Sequence, residues 1–454
     1  MLDAALERPA SDLFDDLRAR EFARLDEHNL AYLDYAAAGL YGASQARQYA
    51  EQLQSGIFGN PHSQHGPSQA SERALARARA AALEFFDADP AVYEVCFTAN
   101  TSAAIKLVAE SYPFSPRRGL VLSADNHNSI NGVREYARMA GACAAVLPLA
   151  EDLRLFEPLS GLQRVARDGP GLFAFPAQSN FSGVHHPLEL VQAAQALGFD
   201  VLLDAAGTGA AAHVSLRDHP ADFLAFSFYK LFGLPTGVGA LIAKRTALAR
   251  LRRPWFAGGT VDYVSVEHGR HRLRDGPESF EDGTPNFLDI ASLEAGFAFL
   301  KQVPQPDLQA RLATLTQTFL GEVQTLSHTN GAALVEIYGP RTMSARGGVV
   351  AFNVLDPMGG SLPFEQVEQR AHAQGVAVRG GCFCNPGAAE RAFGFARYDV
   401  EKCLDELGDG FTIKAFQRSL GPQSVVGAVR LSLGAPTNTN DLDRAISLIK
   451  SFGV

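Results

Sequence analysis

The chain has 454 residues, which is more than one hydrophobic core usually holds, so we expect two domains. Its net charge of −9 at pH 7 offers no basic surface for a nucleic acid, and no apolar run is long enough to span a membrane. The acidic start MLDAALERPASDLFDD lacks the cationic and apolar blocks of a signal peptide, and five cysteines do not suggest a disulfide framework. Composition therefore predicts a cytoplasmic protein without nucleic-acid or membrane partners.

Predicted strands alternate with predicted helices over the first part of the chain. The apolar runs that predict strands are Val92–Thr98, Gly119–Ser123, Leu172–Pro176, Asp200–Leu203 and Phe223–Phe228. This alternation is typical of an α/β fold with a mostly parallel sheet covered by helices. In such sheets, ligands bind beyond the carboxyl ends of the strands.

Polar side chains follow these predicted strands at their carboxyl ends. They are Thr101, Ser102, His127, Asn180, Asp204 and Lys230. Because the carboxyl ends of parallel strands meet at one edge of a sheet, we expect these side chains to surround one ligand site. Taken singly, each has a plainer interpretation, since hydroxyl residues cap helices and aspartate suits a turn.

The lysine is the most informative member of this set. Lys230 lies in the segment SFYKLFGLPTGVGAL, directly after a buried strand, and the chain has only seven lysines. A lysine in apolar surroundings has a lowered pKa and can attack a carbonyl carbon as a neutral amine. The alternative is a lysine whose ammonium group simply reaches solvent at a strand end.

A cofactor with an aldehyde, a phosphate and a ring nitrogen would use these groups together, and pyridoxal phosphate is such a cofactor. Lys230 would bind the aldehyde, and Asp204 would hold the protonated ring nitrogen. The phosphate would bind at a helix start, beside Thr101, Ser102 and Ser227.

Three further residues complete this predicted site. His127 would stack on the face of the cofactor ring. Asn180 and Arg430 would bind the carboxylate of an amino acid, because a guanidinium group matches a carboxylate with two parallel hydrogen bonds. A surface ion pair is the more common role of any single arginine.

The later part of the chain predicts a second domain, entered through a helix over Leu288–Leu300. Its predicted strands and helices are Gly347–Val354, Phe364–Gln374, Val376–Arg379, Val425–Leu433 and Asn440–Phe452. We expect an N-terminal helical segment over 1–30 that packs with the small domain, a large cofactor-binding domain over 31–295, and a small C-terminal α+β domain over 296–454.

The loop RGGCFCNPG, from Arg379 to Gly387, contains two closely spaced cysteines. Glycine and proline indicate that Cys382 and Cys384 are accessible, and the nearby arginine favours the nucleophilic thiolate. A metal site would need two further cysteine or histidine ligands, and none lies near in the sequence, so we predict no metal.

Several segments along nearly the whole chain carry a family resemblance: YLDYAAAGLY, FGNPHSQ, NHNS, FPAQSNFSG, LLDAAG, SFYKLFGLPTGVGAL, GGT, EDGTPNFLDIASL and RGGCFCNPGA. With them the chain resembles the class V aminotransferase superfamily of fold-type I pyridoxal phosphate enzymes. Within this superfamily it is similar to the cysteine desulfurases, and most similar to the desulfurase-like N-terminal domain of molybdenum cofactor sulfurases.

The resemblance implies the reaction and its main residues. Lys230 would form the covalent bond with the cofactor, with Asp204 as the partner of the ring nitrogen. Cys384 matches the cysteine that receives a persulfide from L-cysteine, which leaves as alanine. The alternative is another fold-type I reaction on an amino acid: transamination, C–S or selenocysteine cleavage, or epimerisation.

The resemblance also implies the remaining contacts. Asn180, Arg379 and Arg430 are assigned to substrate binding, and Tyr229 lies beside the cofactor. Thr284 matches a residue that reaches the phosphate in the neighbouring subunit, which implies a homodimer with shared sites. The segment 385–429 is longer than in the simplest desulfurases and suggests a lid or a docking surface for a protein that accepts sulfur.

Three positions depart from the desulfurase pattern. Gly207 replaces a glutamine that touches the phenolic oxygen of the cofactor, and Tyr229 replaces a histidine. Ala389 falls in a segment, Gly387 to Ala389, that lacks the further cysteine often found in the sulfurases.

Overall fold

The computed structural model describes residues 10–395, 397–421 and 424–454. Its strands, in chain order, are β1 Ala31–Tyr32, β2 Tyr93–Thr98, β3 Leu120–Ser123, β4 Ala144–Leu147, β5 Leu172–Pro176, β6 Asp200–Asp204, β7 Phe223–Ser227, β8 Gly239–Lys244, β9 Val261–Ser265, β10 Arg270–Leu273, β11 Val335–Tyr338, β12 Val349–Val354, β13 Val376–Ala377, β14 Arg379–Gly381 and β15 Ala428–Ser432.

The α-helices surround these strands. In chain order they are α1 Ala10–Glu21, α2 Arg24–Glu27, α3 Ala43–Ser55, α4 Gly66–Phe85, α5 Thr101–Ser111, α6 Asn128–Asn131, α7 Val133–Met139, α8 Pro158–Ala166, α9 Leu190–Ala196, α10 Phe228–Phe232, α11 Arg245–Leu248, α12 Phe287–Ala291, α13 Leu293–Leu300, α14 Gln305–Val323, α15 Phe364–Ala373, α16 Pro386–Phe393, α17 Arg397–Leu407, α18 Ile413–Leu420 and α19 Thr439–Lys450. Short 3₁₀ turns cover Pro277–Phe280 and Gly408–Gly410.

The centre of the molecule is a seven-stranded sheet in the order β2-β8-β7-β6-β5-β3-β4. The run from β7 to β4 is parallel, whereas β8 is antiparallel to both of its neighbours. This arrangement confirms the predicted α/β class with a mostly parallel sheet. All five residues of β5 are buried, which explains why this strand is a continuous apolar run.

Side chains of the sheet alternate between two apolar cores. In β5, Phe173 and Phe175 belong to one core, which extends toward the C-terminal part of the chain. Leu172 and Ala174 belong to the other, which packs under α5. Since successive side chains of a strand point to opposite faces, both faces of this sheet are covered.

A smaller antiparallel sheet, ordered β11-β12-β15-β14, lies in the C-terminal part of the chain. Near the N-terminus, β1 pairs in parallel with β13, and the guanidinium of Arg18 in α1 forms an ion pair with Asp441 in α19 at 2.6 Å. The domain boundaries proposed from the sequence remain a prediction.

Two predicted elements differ in detail from the structure. The strand predicted over Val376–Arg379 is divided, since β13 pairs with β1 whereas β14 pairs with β15. The helix predicted over Leu288–Leu300 is interrupted at Ser292, where α12 ends and α13 begins. Among the described residues, we find no helix with both the length and the apolar composition needed to cross a membrane.

Candidate active site

A cavity of about 250 Å³ lies beyond the carboxyl ends of the central parallel strands. Its walls include these residues predicted from the sequence: Thr101, Ser102, His127, Asn180, Asp204, Ser227, Tyr229 and Lys230. The strands β2, β3, β5, β6 and β7 end at this edge, and these side chains belong to their last residues or to the loops and helices that follow them. These predicted side chains therefore do lie together at one edge of the sheet.

Lys230 lies on the short helix α10, which begins directly after β7. The strand predicted to extend to Phe228 thus ends one residue earlier, at Ser227. Burial lowers the pKa of Lys230 from its usual value, and the carboxylate of Asp204 partly opposes that effect. When the pKa of a lysine is lowered, a larger fraction of its side chain is the neutral amine at a given pH. The neutral amine is the form that attacks a carbonyl carbon.

Asp204 is the last residue of β6 and is almost completely buried. Its Oδ1 accepts a hydrogen bond from the backbone N–H of Ala206 at 2.9 Å. Burial raises the pKa of Asp204, whereas this N–H and the charges of Lys230 and His127 act in the opposite direction. A cationic ring nitrogen placed beside this carboxylate would compensate for the cost of burying its charge.

His127 precedes helix α6 and orients its ring through the helix start. Its Nδ1 accepts a hydrogen bond from the backbone N–H of Ser129 at 3.1 Å, so the ring proton lies on Nε2. Burial is the largest influence on the pKa of His127 and lowers it. The charge of Asp204 raises this pKa, and the charge of Lys230 lowers it. The imidazole is therefore neutral at physiological pH and provides a flat face to the cavity.

The N-terminus of α5 forms one wall of the cavity. Thr101 donates its backbone N–H to Ser227 Oγ at 2.7 Å, and the two hydroxyl oxygens lie 2.6 Å apart. Ser102 Oγ lies 2.6 Å from Ser129 Oγ, and Asn100 caps the helix by accepting the N–H of Ala103. The helix dipole and several hydroxyl groups make this wall suitable for a phosphate dianion.

The predicted carboxylate-binding residues meet at the other side of the site. Arg430 is buried and donates to the backbone oxygen of Asn180 at 2.9 Å and to Asp34 Oδ1 at 3.0 Å. Its Nε is buried and has no hydrogen-bond partner among the described residues. Arg379 forms an ion pair with Asp34 at 2.7 Å, and its side chain is 49% exposed. Neither arginine lines the cavity itself; Arg430 reaches it through the backbone of Asn180.

The cysteine loop closes over this side of the site. Phe383 and Cys384 both have φ of +56°, a left-handed conformation that residues other than glycine rarely adopt. Cys384 is exposed, whereas Cys382 packs beside an apolar cluster that includes Phe181 and Phe383. The oxygen of Cys384 accepts the backbone N–H of Asn128 at 2.8 Å, which attaches the loop to the helix start at His127.

Two predicted residues occupy less central positions. Tyr229 borders the cavity, and its backbone oxygen accepts the N–H of Gly39 at 3.1 Å. Thr284 is exposed and lines a different cavity, where its hydroxyl lies 3.5 Å from Asn60 Nδ2. Within one chain, Thr284 is therefore not brought together with the other predicted residues.

Several residues of the site were not identified from the sequence. Asp34 binds both arginines, and Gln178 lines the cavity, donating to Gly207 O at 2.8 Å and accepting from His185 at 2.7 Å. A side chain at Gly207 would overlap the backbone oxygen of Gln178. The segment FPAQSNFSG contained this glutamine, but nothing in the sequence indicated its partner.

A comparison with protein-family models matches residues 31–444 to the aminotransferase class-V model. The chain belongs to the class-V aminotransferase family. The matched range includes the segment around Lys230, the cysteine loop and all the residues that line the cavity of this class-V family member.

Named relatives agree with this assignment. Molybdenum cofactor sulfurase of Solanum lycopersicum is 34% identical over 96% of this chain and 57% of its own length. The human molybdenum cofactor sulfurase is 33% identical over 96% of this chain and 51% of its own length. The chain of this class-V family member thus spans about half the length of the curated relatives that it matches.

Solved structures confirm the fold. A cysteine desulfurase from Thermococcus onnurineus superposes with a TM-score of 0.79 at 24% identity, covering 96% of this chain and 97% of the other. A cysteine desulfurase from Escherichia coli gives a TM-score of 0.74 at 22% identity, with 98% of each chain covered. The predicted fold-type I architecture is confirmed.

Proposed function

We propose that this protein is a pyridoxal phosphate-dependent cysteine desulfurase, which moves sulfur from L-cysteine to Cys384 and releases alanine. The observation that carries the proposal is the placement of Lys230 and Asp204 in one cavity beside a helix N-terminus, with the exposed cysteine loop hydrogen-bonded to Asn180 in its wall. The similarity to molybdenum cofactor sulfurases and the fold of cysteine desulfurases support the same reaction.

The residues present fit pyridoxal phosphate. A buried carboxylate at Asp204 suits the ring nitrogen, and a lysine of lowered pKa suits the aldehyde. The start of α5, with Thr101, Ser102 and Ser227, suits the phosphate. When bound, the cofactor supplies an aldehyde that captures amino groups and a ring that accepts an electron pair.

The side chains around the cavity would divide the remaining tasks. Arg430 and Asn180 hold the carboxylate of L-cysteine, and the buried Nε of Arg430 is a donor available for it. His127 would pack its ring on the face of the cofactor. Lys230 Nζ would take the proton from the α-carbon of the substrate.

Sulfur transfer would then use the cysteine loop. The thiolate of Cys384 attacks the substrate sulfur, a sulfur–sulfur bond forms, and the bond between that sulfur and Cβ breaks. The electron pair of the broken bond goes to the carbon skeleton, which takes up protons and leaves as alanine. Cys384 keeps the persulfide, so one cysteine and one thiol give one alanine and one persulfide without an added oxidant or reductant.

Quaternary structure, location and the sulfur acceptor belong to the same proposal. We place the enzyme in the cytoplasm as a homodimer, in which Thr284 reaches the phosphate site of the partner subunit. The exposure of Thr284 and its place in a cavity other than the candidate active site support this assignment. The persulfide would pass to an acceptor protein, and the segment 385–429 is the proposed docking surface.

The test compares two cysteine variants. Wild-type protein loaded with pyridoxal phosphate should convert L-cysteine to alanine and carry 32 mass units more on the Cys384 peptide, about one sulfur atom. We expect Cys384→Ala to lower alanine formation by about a hundredfold or more, because it removes the nucleophile. Cys382→Ala, the matched control, should retain most activity because Cys382 packs against apolar side chains.

Two outcomes would contradict the proposal. Alanine formation by Cys384→Ala at the wild-type rate would exclude Cys384 as the acceptor. Pyruvate in place of alanine would assign the protein to C–S lyases, which eliminate sulfur without an enzyme persulfide.

A further inference from the structure

A buried carboxylate lies beneath the cysteine loop, outside the set of residues considered so far. Asp125 is fully buried, in the turn that follows β3. It accepts hydrogen bonds from Ser179 Oγ at 2.9 Å, from His186 Nε2 at 2.9 Å and from Asn385 Nδ2 at 2.6 Å. Buried charges are costly unless they are paired or hydrogen-bonded, and these donors satisfy both carboxylate oxygens.

Asn385 connects this carboxylate to the nucleophile. It directly follows Cys384, is fully buried, and caps α16 by accepting the N–H of Ala388 at 3.2 Å. Its Nδ2 also donates to Asn180 Oδ1 at 2.9 Å. One amide thus joins the end of β3, the substrate-binding Asn180 and the helix that begins after the cysteine loop.

The loop needs such anchors because its backbone is strained. Phe383 and Cys384 both occupy the left-handed region, which non-glycine residues adopt only when surrounding contacts hold them there. Those contacts are Asn180 Nδ2 to Phe383 O at 2.7 Å, the N–H of Asn128 to Cys384 O, and the side chain of Asn385. All three anchors come from the polar network around Asp125 or the turn that contains it.

We propose that Asp125 is a positioning residue for sulfur transfer: through Asn385 it holds Cys384 in the left-handed conformation that points the thiol at the substrate. The proposal rests on the proposed desulfurase function. Since Asn180 shares the amide of Asn385, the same network places the substrate carboxylate and the attacking thiol in a fixed relation. Asp125 itself does not line the cavity.

The test uses the full chain loaded with pyridoxal phosphate. In Asp125→Asn, an amide oxygen can still accept from Asn385, but the acceptor has lost its charge and the hydrogen bond is weaker. We expect kcat for alanine formation to fall about tenfold, with KM for L-cysteine changed by less than about twofold, as expected when a charge-assisted hydrogen bond becomes a neutral one. Hydrogen exchange, followed by mass spectrometry of peptides covering 125–130 and 383–390, should become faster at Asn128 and Ala388.

A reciprocal exchange separates positioning from general damage. Asn385→Asp alone places two carboxylates together and should also lower kcat. The double variant D125N/N385D restores a donor and an acceptor at this contact, and should recover part of the lost rate and of the exchange protection. If Asp125→Asn does not fold, Asn385→Ala removes the loop donor itself, together with the cap of α16 and the contact with Asn180, and should lower kcat at least as much.

Asp222→Asn is the matched control, because Asp222 is also a buried carboxylate but pairs with Lys244 and the N–H of Val201, away from the loop. It should lose stability without a selective loss of kcat. An Asp125→Asn variant with wild-type kcat and wild-type exchange would overturn the proposal, and so would an equal kcat loss in Asp222→Asn. If the wild type forms no alanine, the proposed function fails, and the exchange data still decide whether Asp125 holds the loop.

Discussion

The two halves of the candidate site are held in different ways. Asp204 and Lys230 lie at the ends of adjacent strands, where the hydrogen bonds of the sheet fix the backbone. Cys384 lies on an exposed loop with left-handed backbone, fixed by side chains from distant parts of the chain. The half that contains Asp204 and Lys230, the sheet half, therefore depends on sheet topology. The half that contains Cys384 depends on a few polar contacts that single substitutions can remove.

The largest effect should follow a change in the sheet half. Lys230→Arg keeps a cation but removes the primary amine, so we expect kcat to fall about 10³-fold or more. Borohydride reduction of the wild-type protein with bound pyridoxal phosphate, followed by peptide mapping, should place the label on Lys230.

Lys244→Arg serves as the control for this substitution. Lys244 ends β8 and forms an ion pair with Asp222 at 3.2 Å, outside the cavity. It should bind cofactor and turn over cysteine as the wild type does. Labelling of another lysine, or no labelling at all, would remove the basis of the cofactor assignment.

A smaller effect is expected where the two halves meet. Arg430→Lys removes the fork that matches a carboxylate, so we expect KM for L-cysteine to rise roughly tenfold to a hundredfold with a smaller change in kcat. Arg379→Lys is the comparison, because Arg379 is half exposed and binds Asp34 at the rim. Steady-state kinetics of both variants measure the difference; equal increases in KM would show that both arginines bind the substrate.

The smallest effect concerns stability. Burial first, and then the charges of His186 and Arg346, lower the pKa of His185 to about 4. The unfolded chain takes up this proton near pH 6.5, whereas the folded protein does so only near pH 4, so stability present above pH 6.5 is lost as the pH falls toward 4. We expect His185 to account for roughly 2 to 3 kcal/mol of that loss.

Urea unfolding at pH 7 and pH 4.5 measures this contribution. In His185→Gln the difference in unfolding free energy between the two pH values should be smaller than in the wild type. If the difference in unfolding free energy is the same in His185→Gln and the wild type, His185 does not contribute to the pH dependence of stability.

The sequence allowed the sheet half to be predicted almost completely. Apolar runs located the strands, and the polar residues that follow them had to meet at one edge because the strands are parallel. Cys384 was identified from its motif. Its support was not, because Asp125 lies 260 positions from Asn385 and Asp34 lies 396 positions from Arg430.

The missed residues have a common physical reason. No local periodicity, cap or turn marks a carboxylate whose donors come from other elements, so Asp34 and Asp125 look like ordinary turn residues in the sequence. The division of the predicted strand at Val376–Arg379 has the same origin, since the partners β1 and β15 lie far away along the chain.

Gly207 has a consequence for how this branch of the family is recognised. Judged by motif alone, the chain has lost the glutamine that desulfurases place after the aspartate of β6. The cavity nevertheless contains a glutamine amide, that of Gln178, supplied from the neighbouring strand end and packed against the carbonyl of Gly207. A search that requires a glutamine at position 207 would reject a pocket that contains a glutamine amide from another strand end.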